Sequence, residues 1–215
     1  MFNSATPGAS AAPIMGAMAA TNDNEIGTRT VLHGGLGADS VAFNGASADY
    51  TIDLHRGYAV VTAKAQPLLH ALVINAESMT FTDTTISVDN PVALASITGL
   101  YQSVLARQGD HLGVEFWAGA YDNGVSLGQI ALNLIASAES QALHAMIFNG
   151  DGAHDVELLY QGIFGRHSDA AGLAFWTEKV AAGMSLDRVA DVFIAAPEMD
   201  IHKIGAQDWD FLLSS

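Results

Sequence analysis

Residues 100–139 read LYQSVLARQGDHLGVEFWAGAYDNGVSLGQIALNLIASAE, and residues 159–198 read LYQGIFGRHSDAAGLAFWTEKVAAGMSLDRVADVFIAAPE. The two segments align without a gap at an offset of about 59 residues, with roughly fifteen of about forty positions identical. Chance does not give that, so the chain carries an internal repeat. Each identity has a physical reading. Asp110 and Asp169 precede apolar-periodic stretches and are expected as N-caps of a helix carrying a Phe-Trp pair. Gly124 and Gly183 are expected as the left-handed residue that closes this helix. Ser126 and Ser185 then cap the next helix. Ser126 has Gln129 three residues on, which completes a capping box, whereas Ser185 has Arg188 there. Trp117 and Trp176 are expected as buried anchors between helices, each contributing about 2–3 kcal/mol through apolar burial. The alternative role for Asp110 and Asp169 is cation binding, which needs more oxygens than the spacing places nearby.

These residues give the helical half a resemblance to the DUF4214 family. The pattern is a Leu-Tyr start, an Arg, then D-x-x-G-x-x-x-W, a Gly-Ser cap and a Ser/Ala-x-Glu end, and both copies match it. The resemblance covers about residues 92–200. It implies a helical fold similar to phycobilisome linker domains, which assemble proteins, and it implies no established catalytic residues. Members of the family are often joined to Ca²⁺-binding repeats in type I secreted and surface-layer-like bacterial proteins. The second copy departs at Pro197, which puts in question only how its last helix ends.

Upstream, the helical pattern starts at Pro91, where the missing N–H costs nothing; Leu94, Ile97, Tyr101, Val104 and Leu105 then share one face. Residues 28–90 read instead as β. Val41-Ala42-Phe43, Tyr50-Thr51-Ile52-Asp53-Leu54, Tyr58-Ala59-Val60-Val61-Thr62, Met79-Thr80-Phe81-Thr82 and Thr85-Ile86-Ser87-Val88 are short β-branched or aromatic runs. His55-Arg56-Gly57 is expected as a hairpin turn. Residues 34–42, GGLGADSVA, fit the nonapeptide GGxGxDxUx, in which a glycine turn aims carbonyls and one carboxylate inward before a short strand. The sequence resembles the final turn of an RTX (repeats-in-toxin) block, and residues 49–52 and 75–83 resemble the tail of such blocks, with Thr84 in the place of the usual Gly. Gly35, Gly37 and Asp39 are therefore candidate Ca²⁺ ligands. One turn supplies only part of the six to eight oxygens that Ca²⁺ takes, so an ion-free glycine turn entering a strand is the competing reading.

Composition bounds the partners. Half of the 215 residues are apolar, and 8 Lys plus Arg face 23 Asp plus Glu, for a net charge of −15. Nucleic acid and anionic membrane surfaces need a basic face, and this chain has none to offer. There is no Cys, which removes thiol catalysis and disulfides. No apolar run is long enough for a transmembrane segment. The eight His residues show no HExxH or HxH spacing, and no GxSxG elbow or Walker loop occurs. Residues 149–155 resemble an EF-hand loop only loosely and are expected as an interhelical loop ending in an N-cap. Residues 1–24 form an Ala/Ser/Gly-rich arm without a period. Residues 201–215 end in an acidic-apolar cluster that resembles a type I secretion signal, and no basic n-region precedes the apolar N-terminal stretch.

The expectation is an α+β protein: a small β-rich unit at 25–90, β-roll or sandwich-like, followed by a duplicated all-helical bundle at 91–200. The expected function is non-enzymatic: an extracellular or cell-surface structural protein, self-associating into a layer, fibre or matrix, with Ca²⁺ as candidate cofactor. Its arm would seat on a neighbouring subunit by strand addition. The alternative is a carbohydrate-binding or accessory module that meets a cell-surface glycan through Trp209, Tyr58 and Tyr121. A hydrolase would need converging carboxylates or His, and no cluster of that kind stands out.

Overall fold

The computed structural model describes residues 28–34, 38–89, 91–200 and 202. The expected arm, 1–24, and nearly all of the expected tail, 201–215, lie outside the described residues. The chain divides into two compact units between Leu94 and Ala95, and its class is α+β.

In the first unit the strands are β1 (Thr28–His33), β2 (Ser40–Ala42), β3 (Tyr50–Leu54), β4 (Tyr58–Ala63), β5 (Leu69–Ile74), β6 (Ser78–Thr80) and β7 (Thr85–Ser87). They form a four-stranded sheet in the order β1-β5-β4-β3 and a three-stranded sheet in the order β2-β6-β7. The β3–β4 hairpin turns at Gly57, whose φ of +83° suits glycine, and the His55 N–H donates to the Tyr58 carbonyl at 2.9 Å. Two of the pairings are parallel, β1 with β5 and β2 with β6. The chain therefore crosses from the larger sheet to the smaller one twice, after β1 and after β5, and the described ends of the two crossings are hydrogen-bonded to each other. The Gly34 N–H donates to the Ile74 carbonyl at 3.0 Å, and the Glu77 N–H to the Asp39 carbonyl at 3.1 Å. The Asp39 N–H donates to Glu77 Oε2 at 2.6 Å. A Cβ at position 34 would strike the Asn75 carbonyl, so only glycine fits. Asn75 itself takes the left-handed conformation at φ +50°, as Asn tolerates.

The core of this unit lies between the sheets. Ala59, Val61, Ala71 and Val73 from the larger sheet meet Val41 and Met79 from the smaller. Phe43, Tyr50 and Phe81 close one end, their ring centroids 5.1 to 5.5 Å apart. The alternation that marks β3 and β6 in sequence is the signature of one buried face. It fails in β5 because Ala71, Leu72, Val73 and Ile74 are all buried, so both faces are covered there.

The second unit is helical: α1 (Pro91–Leu105, which begins before the unit boundary), α2 (His111–Asp122), α3 (Leu127–Ile135), α4 (Ala138–His144), α5 (Gly152–Phe164), α6 (Ala170–Ala181) and α7 (Leu186–Ile194), then a 3-10 turn at Pro197–Met199. Asp110 caps α2 by accepting from Gly113 N at 2.8 Å, and Asp169 caps α6 from Gly172 N at 2.9 Å. Ser126 accepts from Gln129 N at 3.1 Å. Ser185 stands at the N-cap of α7 without a side-chain capping bond, contrary to expectation; its carbonyl still accepts from Val189 N at 3.2 Å. Gly124 and Gly183 follow α2 and α6 with φ of +91° and +99°. Pro197 does not disturb the end of α7, which closes at Ile194; it opens the 3-10 turn instead, as suits its ring.

The first turns of α3 and α7 meet closely. A Cβ on Gly128 would collide with the Asp187 carbonyl, and the Gly128 N–H donates to Asp191 Oδ1 at 2.6 Å. Ile130, Ala131, Leu134 and Ile135 are buried on α3, and Val189, Ala190, Phe193 and Ile194 on α7.

Candidate functional site

The residues of the repeat pattern converge in space. Arg107 follows α1, and its Nε and Nη2 reach Glu139 Oε1 and Oε2 at 2.5 and 3.0 Å, a two-pronged pair. Its Nη1 donates to the Gln108 carbonyl at 2.9 Å and lies 3.4 Å from Asp110 Oδ2. The guanidinium stands over the Tyr101 ring, 5.1 Å from the centroid. The Trp117 indole N–H donates to the Tyr101 hydroxyl. That hydroxyl occupies the space a Cβ at Gly113 would need. One cluster therefore links the end of α1, the start of α2 and the first turn of α4.

A second cluster uses the equivalent residues. Arg166 pairs with Glu198, Nε to Oε1 and Nη2 to Oε2, the latter at 2.8 Å. It donates to the His167 carbonyl at 3.0 Å and stacks 5.1 Å from the Tyr160 centroid. Trp176 hydrogen-bonds the Tyr160 hydroxyl, which fills the space beside Gly172. Hydrogen bonding to the guanidinium holds both glutamates below their ordinary range and both arginines above theirs. The capping amides of Gly113 and Gly172 hold Asp110 and Asp169 low. Burial raises both phenols.

The indoles depart from expectation in one respect. Trp117 and Trp176 are half-buried rather than sealed, because each sits at the edge of its cluster with an exposed Phe beside it. Trp176 still packs edge-on against Phe193, with centroids 5.4 Å apart. Glu139 and Glu198 are the residues whose role spacing did not reveal. Their signal was present as an identity within the repeat, but a pairing partner 32 residues away leaves no local pattern.

A third polar group belongs to the second copy alone. Glu157 accepts from Ser168 Oγ at 2.5 Å, Ser168 N at 3.2 Å and Gln161 Nε2 at 3.0 Å, and lies 2.6 Å from His167 Nδ1. Desolvation opposes its ionisation, yet these partners outweigh it and hold the carboxyl at about 2. Ser168 donates to the carboxylate rather than to the imidazole, which is not the arrangement of an activated nucleophile. The loop at 149–155 ends in the N-cap Asp151, and buried Asp155 accepts the Asn149 and Gly150 amides at 3.0 and 2.9 Å. Its carboxylate is thus occupied by backbone rather than turned toward a cation.

Of the candidate Ca²⁺ ligands, Gly35 and Gly37 lie outside the described residues. Asp39 stands beside Glu77, whose Oε2 is engaged by the Asp39 amide. Two carboxylates are too few for Ca²⁺, and no group of three His, Asp or Glu converges among the described residues. Of the aromatics expected to meet a glycan, Tyr58 is fully buried and stacked on His55, 4.5 Å between centroids, which removes it from that role. Tyr121 is half-exposed, and Trp209 lies outside the described residues. No helix among the described residues is long and apolar enough to cross a membrane.

No curated protein and no solved structure matches the chain. The family described as "Domain of unknown function (DUF4214)" matches residues 76–144 and 149–202, together more than half of the chain. The first match begins at Ala76, upstream of the helical start at Pro91, so β6 and β7 fall within it. On that match, with both arginine clusters built from the repeated pattern, this chain belongs to the DUF4214 family.

Proposed function

We propose that the chain is a non-enzymatic extracellular scaffold that associates with further copies of itself into a layer, fibre or matrix. One observation carries the reading. The polar residues of the family pattern are engaged in building the fold: Arg107 joins Glu139 across elements, Asp110 caps its own helix at Gly113 N, and Arg166, Glu198 and Asp169 do the same in the second copy. We read the helical unit as a duplicated bundle in which two copies of one element have joined through α3 and α7. Gly128 and Asp187, which meet there, are equivalent positions of the repeat. A unit that pairs with its own duplicate is suited to assembly.

The export and calcium parts of the proposal rest on sequence. The turn at 34–42 resembles an RTX turn, the acidic-apolar tail resembles a type I signal, and the net charge of −15 suits a chain that folds where divalent cations are plentiful. Electron microscopy of the purified chain, with millimolar Ca²⁺ and with chelator, tests the proposal. Ordered assemblies are expected, and dispersed single particles under both conditions would defeat it.

A further inference from the structure

Asn-Gly dipeptides occur at Asn44–Gly45, Asn123–Gly124 and Asn149–Gly150. At such a pair the glycine nitrogen can attack the asparagine side-chain carbonyl carbon, because no Cβ shields it. The three pairs differ in what holds the reacting groups. In the second, the Asn123 side-chain amide donates to the Gly119 carbonyl at 2.7 Å, and the Gly124 N–H donates to the Tyr121 carbonyl at 2.9 Å. In the third, the Asn149 side-chain oxygen accepts the Asp151 N–H at 2.8 Å, and the Gly150 N–H donates to the carboxylate of buried Asp155 at 2.9 Å. That carboxylate opposes loss of the amide proton, since it would then face a second negative charge.

Asn44–Gly45 is arranged otherwise. Asn44 is exposed, and among the described residues neither its side-chain amide nor the Gly45 N–H makes a hydrogen bond. The loop around them is nonetheless held. The Phe43 N–H donates to the Thr80 carbonyl and the Thr82 N–H to the Gly45 carbonyl, both at 2.8 Å, and the Ser47 N–H donates to Asp83 Oδ1 at 2.7 Å. The Tyr50 hydroxyl donates to the Asn44 backbone carbonyl at 2.8 Å, from a buried ring packed against Phe43 and Phe81. That carbonyl belongs to the peptide bond whose nitrogen is that of Gly45. When the nitrogen loses its proton, the charge is shared with the carbonyl oxygen, where a donor already stands.

We infer that Asn44–Gly45 is a self-modification site at which Tyr50 promotes deamidation, with water as the co-reactant. The Gly45 nitrogen gives its proton to solvent base and bonds to Asn44 Cγ. The Cγ–Nδ2 bond breaks, and ammonia leaves with a proton from solvent. Water then opens the cyclic imide at either carbonyl, leaving aspartate or isoaspartate, with no oxidant or reductant required. Either product adds a negative charge to a loop that already carries Asp49 and is bonded to Asp83. The isoaspartyl form also routes the main chain through Cβ, which lengthens the segment that Tyr50 and Thr82 hold.

The test keeps the folded, full-length chain in mildly alkaline buffer made with water labelled in heavy oxygen, and tandem mass spectrometry of its peptides follows the label at each asparagine. Label should enter Asn44 well before Asn123, and Asn149 last. In urea the three should react alike, so that folding slows Asn123 and Asn149 and spares Asn44. Tyr50→Phe keeps the packed ring, and circular dichroism checks its fold. It should slow Asn44 about tenfold, the effect of losing one hydrogen bond to a charged group, and leave Asn123 unchanged. Equal rates at the three sites of the folded native chain would overturn the inference, as would a reaction at Asn44 that folding slows as much as at Asn123; neither result depends on the variant. A folded Tyr50→Phe chain that reacts at Asn44 as fast as the native chain would overturn it as well, because the contact with the carbonyl would then have no effect.

Discussion

Gly113 and Gly172 show how tightly single residues are specified. Each lies beneath a tyrosine hydroxyl that an added methyl would strike; that hydroxyl is held by an indole, and its ring lies under a stacked arginine. Gly113→Ala should destabilise by about 1–3 kcal/mol, the usual cost of overpacking, with a matching loss for Gly172→Ala. In denaturant melts Tyr101→Phe should recover part of the Gly113→Ala loss; simple additivity would contradict the contact. Arg107→Gln removes a charged partner from a half-exposed pair and should cost only about 1 kcal/mol after solvent screening. At Glu157 the sign of the pH dependence is fixed. Its folded value, about 2, lies below the ordinary 4.5, so its contribution is complete above about 4.5 and is lost as pH falls toward 2. Denaturation midpoints between neutral and acid pH should fall less steeply in Glu157→Gln than in the native chain. Equal slopes would show that the carboxylate is not stabilised in the fold.

Among elements, the meeting of α3 and α7 is the least tolerant place. At Gly128 the obstacle is the Asp187 carbonyl, which is backbone and cannot swing away as a side chain does. Gly128→Ala should therefore destabilise more than Gly113→Ala, even though alanine favours helix by up to about 1 kcal/mol. A smaller loss, measured by the same melts, would mean that the helices are not in contact there. The sequence displays the ends of α2 and α6 plainly, because caps and glycine stops are local chemistry: Asp110, Asp169, Gly124 and Gly183 stand where spacing puts them. Ser137 was hidden because the pattern reads as the end of a copy, whereas its hydroxyl starts α4 by accepting from Ser140 N at 3.2 Å. β5 was hidden because burial on both faces erases alternation. The pairs Arg107–Glu139 and Arg166–Glu198 were legible only as identities, since a tertiary ion pair leaves no periodicity.

At the scale of the molecule, the two copies share their internal arginine clusters but differ in the residues they expose, a combination that suits the proposed self-association. The net charge of −15 opposes contact between copies at low ionic strength. Salt should therefore strengthen assembly by screening, and Ca²⁺ should do so at far lower concentration than a monovalent salt if the RTX-like turn takes it up. Sedimentation velocity of the full chain over a wide concentration range, in Ca²⁺ and in chelator, addresses this most directly. Reversible growth well beyond the 22.5 kDa monomer is expected. A single monomer boundary at every concentration and in both buffers would contradict it.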